Sequence, residues 1–209
     1  MIKVILCDDH AVVRRGIRDT ISEAVDIQVV GEAGSYPELR EQMRKVECDV
    51  LVLDLNMPGR GGLEVLAALR DEGSLVKTLV VSMYPEDQYA IRCLRAGARG
   101  YVNKAGEPAE LVAAIRTVQQ GRKYVTPEVA QMLVDNLNAP ESQELHASLS
   151  ERELQTLQKI ASGKKLSEIA EELMLSPKTV SVYRARVLEK LHLANNAELT
   201  VYAIRNSLV

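Results

Sequence analysis

Four ionisable residues in the 209-residue sequence have the types and spacing of a phosphoryl-transfer site. Each follows a short apolar run, and together they are Asp8, Asp9, Asp54 and Lys104. Clustered carboxylates repel one another unless a cation joins them, and oxygen ligands favour Mg²⁺. A lysine opposite them is a point charge suited to phosphate oxygens. The set therefore predicts phosphoryl transfer to a carboxylate.

The position of Asp54 makes it the better nucleophile. It stands alone after its apolar run, whereas Asp8 and Asp9 form an adjacent pair suited to holding the metal. Acidic residues at strand ends are often only solvated loop residues, and any one of the three taken alone fits that alternative. Their combination with Lys104, and with the hydroxyl of Ser82 at the end of another run, favours a site.

Five apolar runs alternate with amphipathic stretches and must position these residues. The runs are Val4–Cys7, Ile27–Val30, Val50–Leu53, Thr78–Val81 and Gly100–Val102. The helical stretches lie near 11–24, 36–45, 63–71, 86–96 and 107–120. Short runs rich in Val, Ile and Leu are typical of strands buried on both faces. We predict an α/β domain with a doubly wound, five-stranded parallel sheet, which binds ligands at the carboxyl ends of its strands.

The pattern changes after residue 121. Thr126-Pro127 is typical of a helix start, and that helix fades into a polar, linker-like stretch at 136–143. Only helical segments follow, near 150–162, 166–173, 177–191 and 196–206. We therefore predict a first domain at 1–121, a linker with a helix at 122–147, and an all-α, four-helix domain at 148–209.

Four motifs of the first domain carry a family resemblance. They are Asp8-Asp9-His10, Asp54-Leu55-Asn56-Met57-Pro58-Gly59, Ser82 and Asn103-Lys104. Together they resemble the receiver domain of two-component response regulators, over about residues 1–121. The resemblance implies a flavodoxin-like fold and a sensor histidine kinase as the partner that donates the phosphoryl group.

The receiver resemblance also implies a role for each residue. Asp54 would be the phosphorylation site, and Lys104 would contact the phosphoryl group. The implied Mg²⁺ ligands are Asp8, Asp9, Asp54 and the backbone carbonyl of Asn56. Ser82 and Tyr101 would switch together after phosphorylation, the hydroxyl moving toward the phosphate and the ring turning inward. Ala105 stands where many receivers have Pro, and a cis peptide before Ala would cost about 3 kcal/mol more.

The C-terminal helices carry clear start signals. Ser150 with Glu153 is a capping box, and Ser176-Pro177 begins another helix. Helix 177–191 bears four cations against one acidic residue, a net charge of +3. Two short helices joined by a tight turn, the second of them basic, fit a helix-turn-helix that enters the major groove. On charge alone, a solvated surface helix is the better explanation.

The surrounding sequence favours DNA binding. Its motifs are Leu149-Ser150-Glu151-Arg152-Glu153, Leu166-Ser167-Glu168-Ile169-Ala170 and Ser176-Pro177-Lys178-Thr179-Val180. They resemble the LuxR-type helix-turn-helix. Joined to a receiver, they make the chain similar to the NarL/FixJ class of response regulators, and to its GacA-like branch, over essentially the full length. The resemblance implies a phosphorylation-controlled transcriptional regulator that binds double-stranded promoter DNA.

Family position divides the residues of the recognition helix, 177–191, into two groups. Those expected to face base edges are Ser181, Val182 and Ala185. Those expected near backbone phosphates are Lys178, Thr179, Arg184, Arg186 and Lys190. Phosphate contacts give affinity, and base contacts give sequence choice. The short, weakly polar first group predicts modest direct readout, supplemented by DNA shape.

We expect a homodimer after phosphorylation, because dimers gain affinity from two half-sites on DNA. The receiver or the final helix, 196–206, would supply the dimer contact. The DNA-binding half is the more basic one. Residues 148–209 hold nine Lys and Arg against seven Asp and Glu, and the remainder holds 17 against 22.

Composition bears on the other classes of function. Seven Tyr without Phe or Trp argue against stacking on single-stranded nucleic acid. No run approaches the ~20 apolar residues of a membrane helix, and the N-terminus lacks signal-peptide architecture. We expect a cytoplasmic protein without a membrane partner.

Two rival functions use the same residues. A Mg²⁺-dependent phosphatase with an aspartyl-phosphate intermediate would explain the carboxylates but not the C-terminal helices. Such hydrolases place Asp-x-Asp after the first strand, whereas Asp8 and Asp9 are adjacent. A module with a vestigial acidic pocket would bind DNA regardless of phosphorylation, but the retention of Asp54 with Lys104 argues against it. We expect no enzymatic substrate apart from the receiver itself.

Overall fold

The computed structural model describes residues 1–138, 145–206 and 208–209. The chain divides into two compact units, Met1–Pro140 and Glu141–Val209. The domain limits expected from the sequence stay a prediction, and residues 139–144 of the expected linker lie outside the described residues. Within these ranges, no helix combines the length and the apolar character needed to cross a membrane.

The first unit is a parallel sheet with helices on both faces. Its strands are β1 (Ile2–Cys7), β2 (Ile27–Ala33), β3 (Val50–Asp54), β4 (Lys77–Ser82) and β5 (Gly100–Asn103). Its helices are α1 (Ala11–Ser22), α2 (Tyr36–Lys45), α3 (Gly62–Asp71), α4 (Glu86–Ala96), α5 (Pro108–Gln119) and α6 (Pro127–Asn138). The strands pair in the order β2-β1-β3-β4-β5, all parallel. The predicted doubly wound sheet is confirmed.

Burial explains why the apolar runs form strands. Every residue of β3 is buried, because the strand lies in the middle of the sheet with helices on both sides. Side chains from all five strands, among them Val4, Ile27, Val52, Val81 and Val102, form one core cluster with Ile115 of α5. Parallel strands need crossover connections, which the intervening helices provide.

Helix α6 packs against α4 of the first unit, although the sequence analysis placed it in a linker. The Thr126 hydroxyl donates to Glu86 Oε2 at 2.7 Å, and Val129 is buried. Tyr124 extends the contact by forming a bridge with Gly100, whose Cβ, if present, would lie 2.9 Å from the Tyr124 carbonyl oxygen. The helix therefore has an apolar face covered by its own unit.

The second unit is all-α, as predicted. A short 3₁₀ turn (Leu145–Ser148) precedes α7 (Glu151–Ala161), α8 (Leu166–Glu172), α9 (Pro177–Leu191) and α10 (Asn196–Arg205). Ser150 forms the predicted capping box with Glu153, and Ser176 caps α9. Apolar side chains at helical spacing form its core. They include Leu154, Leu157, Ile169, Val180, Val187, Leu191 and Leu199.

The turn between α8 and α9 contains a strained residue. Met174 has a φ of 53°, in the left-handed region, and its side chain is 80% exposed. Residues other than Gly, Asn and Asp adopt this backbone conformation at a cost in free energy. Because the side chain contributes little packing, the strain is not offset by burial.

We expect Met174→Asn to raise the free energy of unfolding by about 0.5–1 kcal/mol, because Asn tolerates a positive φ. Urea unfolding followed by circular dichroism measures the change. Met174→Leu is the matched control, since it keeps the strain and should leave stability unaltered. Equal stability of the Asn and Leu variants would contradict the account.

Candidate functional site

The carboxyl edge of the sheet gathers the predicted acidic residues. Asp54 ends β3, and Asp8 and Asp9 follow β1, its neighbour in the sheet. The strand order reverses at this pair, since β2 lies beyond β1 and β4 beyond β3, and such switch points are where open sheets bind ligands. One ligand atom each from Asp8, Asp9, His10 and Asp54 all lie within 4.8 Å of one another.

Lys104 is the internal counter-charge of this cluster. Its Nζ lies 2.7 Å from Asp8 Oδ2 and 3.1 Å from Asp54 Oδ1, and the side chain is only 7% exposed. The backbone N–H of Lys104 donates to the Ser82 carbonyl, which fixes the lysine at the end of β5. A buried carboxylate pair would be strongly unfavourable without such a partner.

The environment of Asp54 pulls its protonation in both directions. Burial is the largest influence and raises the pKa of the Asp54 carboxyl above its ordinary value. The Lys104 charge lowers it, the Asp8 carboxylate raises it, and a hydrogen bond from the Asn56 backbone lowers it. The net direction is upward, so the Asp54 carboxyl keeps its proton to a higher pH than an ordinary aspartate does.

Four buried oxygens of the site lack a hydrogen bond among the described residues, and two of them, Asp8 Oδ2 and Asp9 Oδ1, face Lys104 and His10 instead. Asp54 Oδ2 and Asn56 Oδ1 are buried side-chain atoms without a partner among the described residues. Buried oxygens are normally satisfied, and an oxygen-rich site of this kind suits a hard divalent cation such as Mg²⁺. His10 Nδ1 lies 2.7 Å from Asp9 Oδ1. The donor set therefore fits the expected metal.

The expected switch pair surrounds the loop after β4. The Ser82 hydroxyl accepts a hydrogen bond from the Tyr84 N–H, and the Tyr101 hydroxyl donates to the Tyr84 carbonyl at 2.8 Å. Tyr101 is 2% exposed, so its ring is already inward in this structure. Inward rotation after phosphorylation, as the resemblance implied, is not needed from this conformation. Tyr84 joins the two residues through backbone atoms, which no sequence motif reveals.

Two further residues, Arg14 and Gly62, shape the pocket, and no motif in the sequence marks them. Arg14 Nη1 donates to the Asp8 carbonyl, while its Nε reaches Glu32 at 3.1 Å, so it holds the loop after β1. A Cβ on Gly62 would lie 2.6 Å from the Asp54 carbonyl oxygen, so only glycine fits there. The Lys104–Ala105 peptide is trans.

Recognition helix α9 presents the predicted base-facing residues to solvent. Val180, Val187 and Leu191 are buried on one side, and the opposite side is exposed. The exposed side includes Lys178, Ser181, Val182, Ala185 and Arg186. Thr179 is half-buried, and its N–H and hydroxyl both engage Ser176 at the helix cap.

The four cations of α9 differ in what they contact. Lys178 and Arg186 make no ion pair or side-chain hydrogen bond with the residues the structure describes. Arg184 Nε donates to Asn196 Oδ1 at 2.6 Å. Lys190 Nζ lies 2.7 Å from Glu153 Oε2 and 3.2 Å from the Ser148 carbonyl. Lys190 therefore neutralises a buried carboxylate of its own unit.

The burial of Glu153 explains why its contact with Lys190 matters for stability. Its side chain is 3% exposed. Burial alone would raise the pKa of the Glu153 carboxyl, but hydrogen bonds from Lys190 and Ser150, with the charge of Lys190, outweigh burial and lower it. Removing Lys190 would leave a buried carboxylate without its cation.

Comparison with known families accounts for both units. A profile described as "Response regulator receiver domain" matches residues 4–116, and one described as "Bacterial regulatory proteins, luxR family" matches residues 147–203. The chain belongs to the response-regulator family. Like its homologues in two-component systems, this response regulator is a transcription regulator with a DNA-binding, LuxR-type domain.

Full-length relatives agree. The response regulator is 41% identical to "Response regulator UvrY" of Escherichia coli strain K12 over 209 residues, covering all of this chain and 96% of that protein. It is 39% identical to "Response regulator GacA" of Pseudomonas aeruginosa, covering 98% of that protein. RcsB of Salmonella enterica serovar Typhimurium, solved bound to promoter rprA with phosphomimetic BeF3⁻, is 28% identical with a TM-score of 0.61, covering 96% of this chain and 97% of RcsB.

We expect Asp54→Asn to stabilise the metal-free response regulator on the order of 1 kcal/mol at neutral pH, because it removes a buried charge. Folding raises the pKa of Asp54 above its ordinary value. The wild type therefore loses stability as the pH rises from the ordinary carboxyl pKa toward the raised pKa of the folded protein. The gap between the two proteins should be absent below the ordinary carboxyl pKa of 3.8 and open above it.

Urea unfolding across pH measures this gap. Asp71→Asn, at an exposed carboxylate of the same unit, is the matched control and should show no such gap. Added Mg²⁺ should stabilise the wild type more than Asp54→Asn, because the variant loses a carboxylate ligand. A constant difference at every pH would contradict the assignment of the effect to Asp54 ionisation.

Proposed function

We propose that Asp54 accepts a phosphoryl group from the phosphohistidine of a sensor histidine kinase and that this controls DNA binding through α9. One observation carries the proposal: at the switch point of the sheet, Lys104 Nζ lies within 3.1 Å of carboxylate oxygens of both Asp8 and Asp54. In the transfer, a carboxylate oxygen of Asp54 forms the new bond to phosphorus while the bond to the kinase histidine breaks.

The residues around Asp54 have distinct roles in this proposal. Asp8, Asp9, Asp54 and the Asn56 carbonyl would hold Mg²⁺, which neutralises negative charge on the phosphoryl oxygens. Lys104 is already within reach of the Asp54 oxygen that would carry the phosphoryl group, so it contacts that group. The Ser82 hydroxyl moves from the Tyr84 N–H toward the phosphate, which changes the loop that Tyr101 anchors.

The proposed DNA interface is the exposed side of α9. Ser181, Val182 and Ala185 face base edges, and the two apolar side chains among them suit contact with thymine methyl groups. Lys178 and Arg186 supply charge for backbone phosphates, since both are exposed and uncompensated. Thr179 and Arg184 are half-buried, and they are further candidates for phosphate contacts. The RcsB structure bound to a promoter supports this use of the domain.

The active form that we propose is a homodimer on DNA after phosphorylation. In one solved structure, two RcsB dimers are bound to two parallel DNAs. Of the two surfaces considered from the sequence, α10 has the better support, because Val201 and Ile204 are 48% and 62% exposed. Apolar side chains exposed one turn apart on a helix suit a self-complementary contact.

The phosphatase alternative has less support. The family assignment explains the C-terminal helices, which a phosphatase would leave without a role. We propose that the receiver has no substrate beyond its own phosphorylation and dephosphorylation, and that the protein acts in the cytoplasm, where its DNA target lies. Turnover of phosphomonoesters by the purified protein would contradict this part of the proposal.

We expect Asp54→Asn to abolish phosphoryl uptake from acetyl phosphate in the presence of Mg²⁺, because the variant lacks the attacking oxygen. Intact-protein mass spectrometry and hydroxylamine sensitivity measure the acyl phosphate. Asp71→Asn should still take up one equivalent, and chelation of Mg²⁺ should prevent uptake by the wild type. Uptake of a full equivalent by Asp54→Asn would show that another residue is the acceptor.

We expect Lys178→Ala and Arg186→Ala each to reduce the salt dependence of DNA affinity by about 0.9 in the log–log slope, one phosphate contact's worth. Lys190→Ala should leave the slope unaltered and instead lower stability, because it uncovers buried Glu153. Fluorescence anisotropy over a salt series and thermal unfolding give the two readouts. Unaltered slopes for both Lys178→Ala and Arg186→Ala would place the DNA surface elsewhere.

A further inference from the structure

We propose that Asn196 is a positioning residue for DNA binding: its amide oxygen holds the Arg184 guanidinium in place while leaving the positive charge uncompensated for a backbone phosphate. This inference rests on the proposed DNA interface of α9 and adds a residue from α10 to it. The contact joins Arg184 Nε to Asn196 Oδ1 at 2.6 Å.

The Asn196 side chain has no part in starting α10. The neighbouring Asn195 is the cap, and its Oδ1 accepts the Glu198 N–H at 3.0 Å. Asn196 contributes only its backbone carbonyl to the helix, where it accepts the Thr200 hydroxyl. Asn196 is exposed, and its side-chain amide is therefore free of the helix start and available to Arg184.

Three other cations of the same unit are paired with carboxylates. Lys190 contacts Glu153, and both Lys159 and Lys164 contact Glu172. Hydrogen bonds from those two lysines lower the pKa of Glu172 to about 2, so that carboxylate stays ionised and balances their charge. Arg184 differs from these three lysines, because its acceptor is a neutral amide, as it also is for Arg152, which donates to Gln155 Oε1.

Nearby acidic groups do not replace the amide. Glu198 accepts the Ala194 N–H through Oε2 and the Asn195 amide through Oε1, so its oxygens serve the start of α10. No ion pair involving Arg184 occurs among the described residues. The guanidinium is thus restrained by a neutral partner and keeps its full charge.

The chemistry of arginine makes this restraint useful. Guanidinium has five N–H donors in a planar fork, and the contact with Asn196 uses the one on Nε. The terminal amino groups remain for phosphate oxygens, which they bind in a bidentate manner. A long side chain loses rotamer entropy when it is fixed on binding, and prior restraint reduces that loss.

The test measures affinity of the full-length protein for a mixed-sequence DNA duplex over a salt series. Arg184→Ala should reduce the log–log slope by about 0.9, since one phosphate contact is lost. Asn196→Ala should weaken binding roughly threefold to tenfold with the slope unaltered, since the charge remains but the restraint is gone. Asn196→Asp should reduce the slope like Arg184→Ala, because the new carboxylate neutralises the guanidinium.

Two controls separate positioning from folding. Asn195→Ala removes the cap and should lower the melting temperature without changing the slope. The double variant Arg184→Ala/Asn196→Ala should bind no more weakly than Arg184→Ala, because Asn196 acts through the arginine. Asn196→Asp keeps an acceptor oxygen, so it reports on charge even if Asn196→Ala is unstable.

The outcomes distinguish this inference from the proposed interface. Unaltered affinity of Asn196→Ala, an unaltered slope of Asn196→Asp, or additive losses in the double variant would each overturn the role of Asn196. If Arg184→Ala leaves the slope unaltered while Lys178→Ala and Arg186→Ala reduce it, the interface stands and this inference fails. If none of the three changes the slope, the interface itself is wrong.

Discussion

The attraction between Lys104 and two buried carboxylates is the interaction on which the acidic site of the first unit depends. Asp8 and Asp54 meet because β1 and β3 are parallel neighbours whose carboxyl ends share one edge. That arrangement would be unfavourable in isolation, since burial raises the pKa of Asp54. The lysine from the end of β5 makes it tolerable. With Asp9 beside them, the pocket holds three carboxylates and one lysine, so its charge favours the entry of a cation.

The second unit contains both cations that are paired with a buried carboxylate and cations that face solvent. A DNA-binding surface must keep positive charge available, while the interior of the unit must neutralise it. Lys190 is on the same helix as Lys178 and Arg186, yet it is joined to buried Glu153. The recognition helix thus combines a cation that stabilises its packing with cations that face solvent. Counting positive residues along the helix does not separate these two uses.

Much of this organisation is predictable from sequence, because apolar runs mark strands and their ends mark the edge where ligands bind. The sheet, the four C-terminal helices and the acidic cluster follow in that way. Contacts between distant side chains do not. Lys190 and Glu153 are 37 positions apart, and periodicity cannot tell which carboxylate a long cation reaches. Arg14 and Tyr84 act on or through backbone carbonyls, which carry no residue signature. The sequence pattern of α6 indicates a helix with an apolar face but not that this face packs against α4.

The docking of α6 bears on how such proteins exchange parts during evolution. A break at residue 121 would keep every strand but remove Tyr124, whose N–H donates to the Arg99 carbonyl, and would uncover the side of α4 that α6 protects. Recombination that joins this receiver to a different output domain would preserve its packing only if the crossover falls beyond Asn138. The heritable unit of exchange is therefore longer than the sheet and includes a sixth helix.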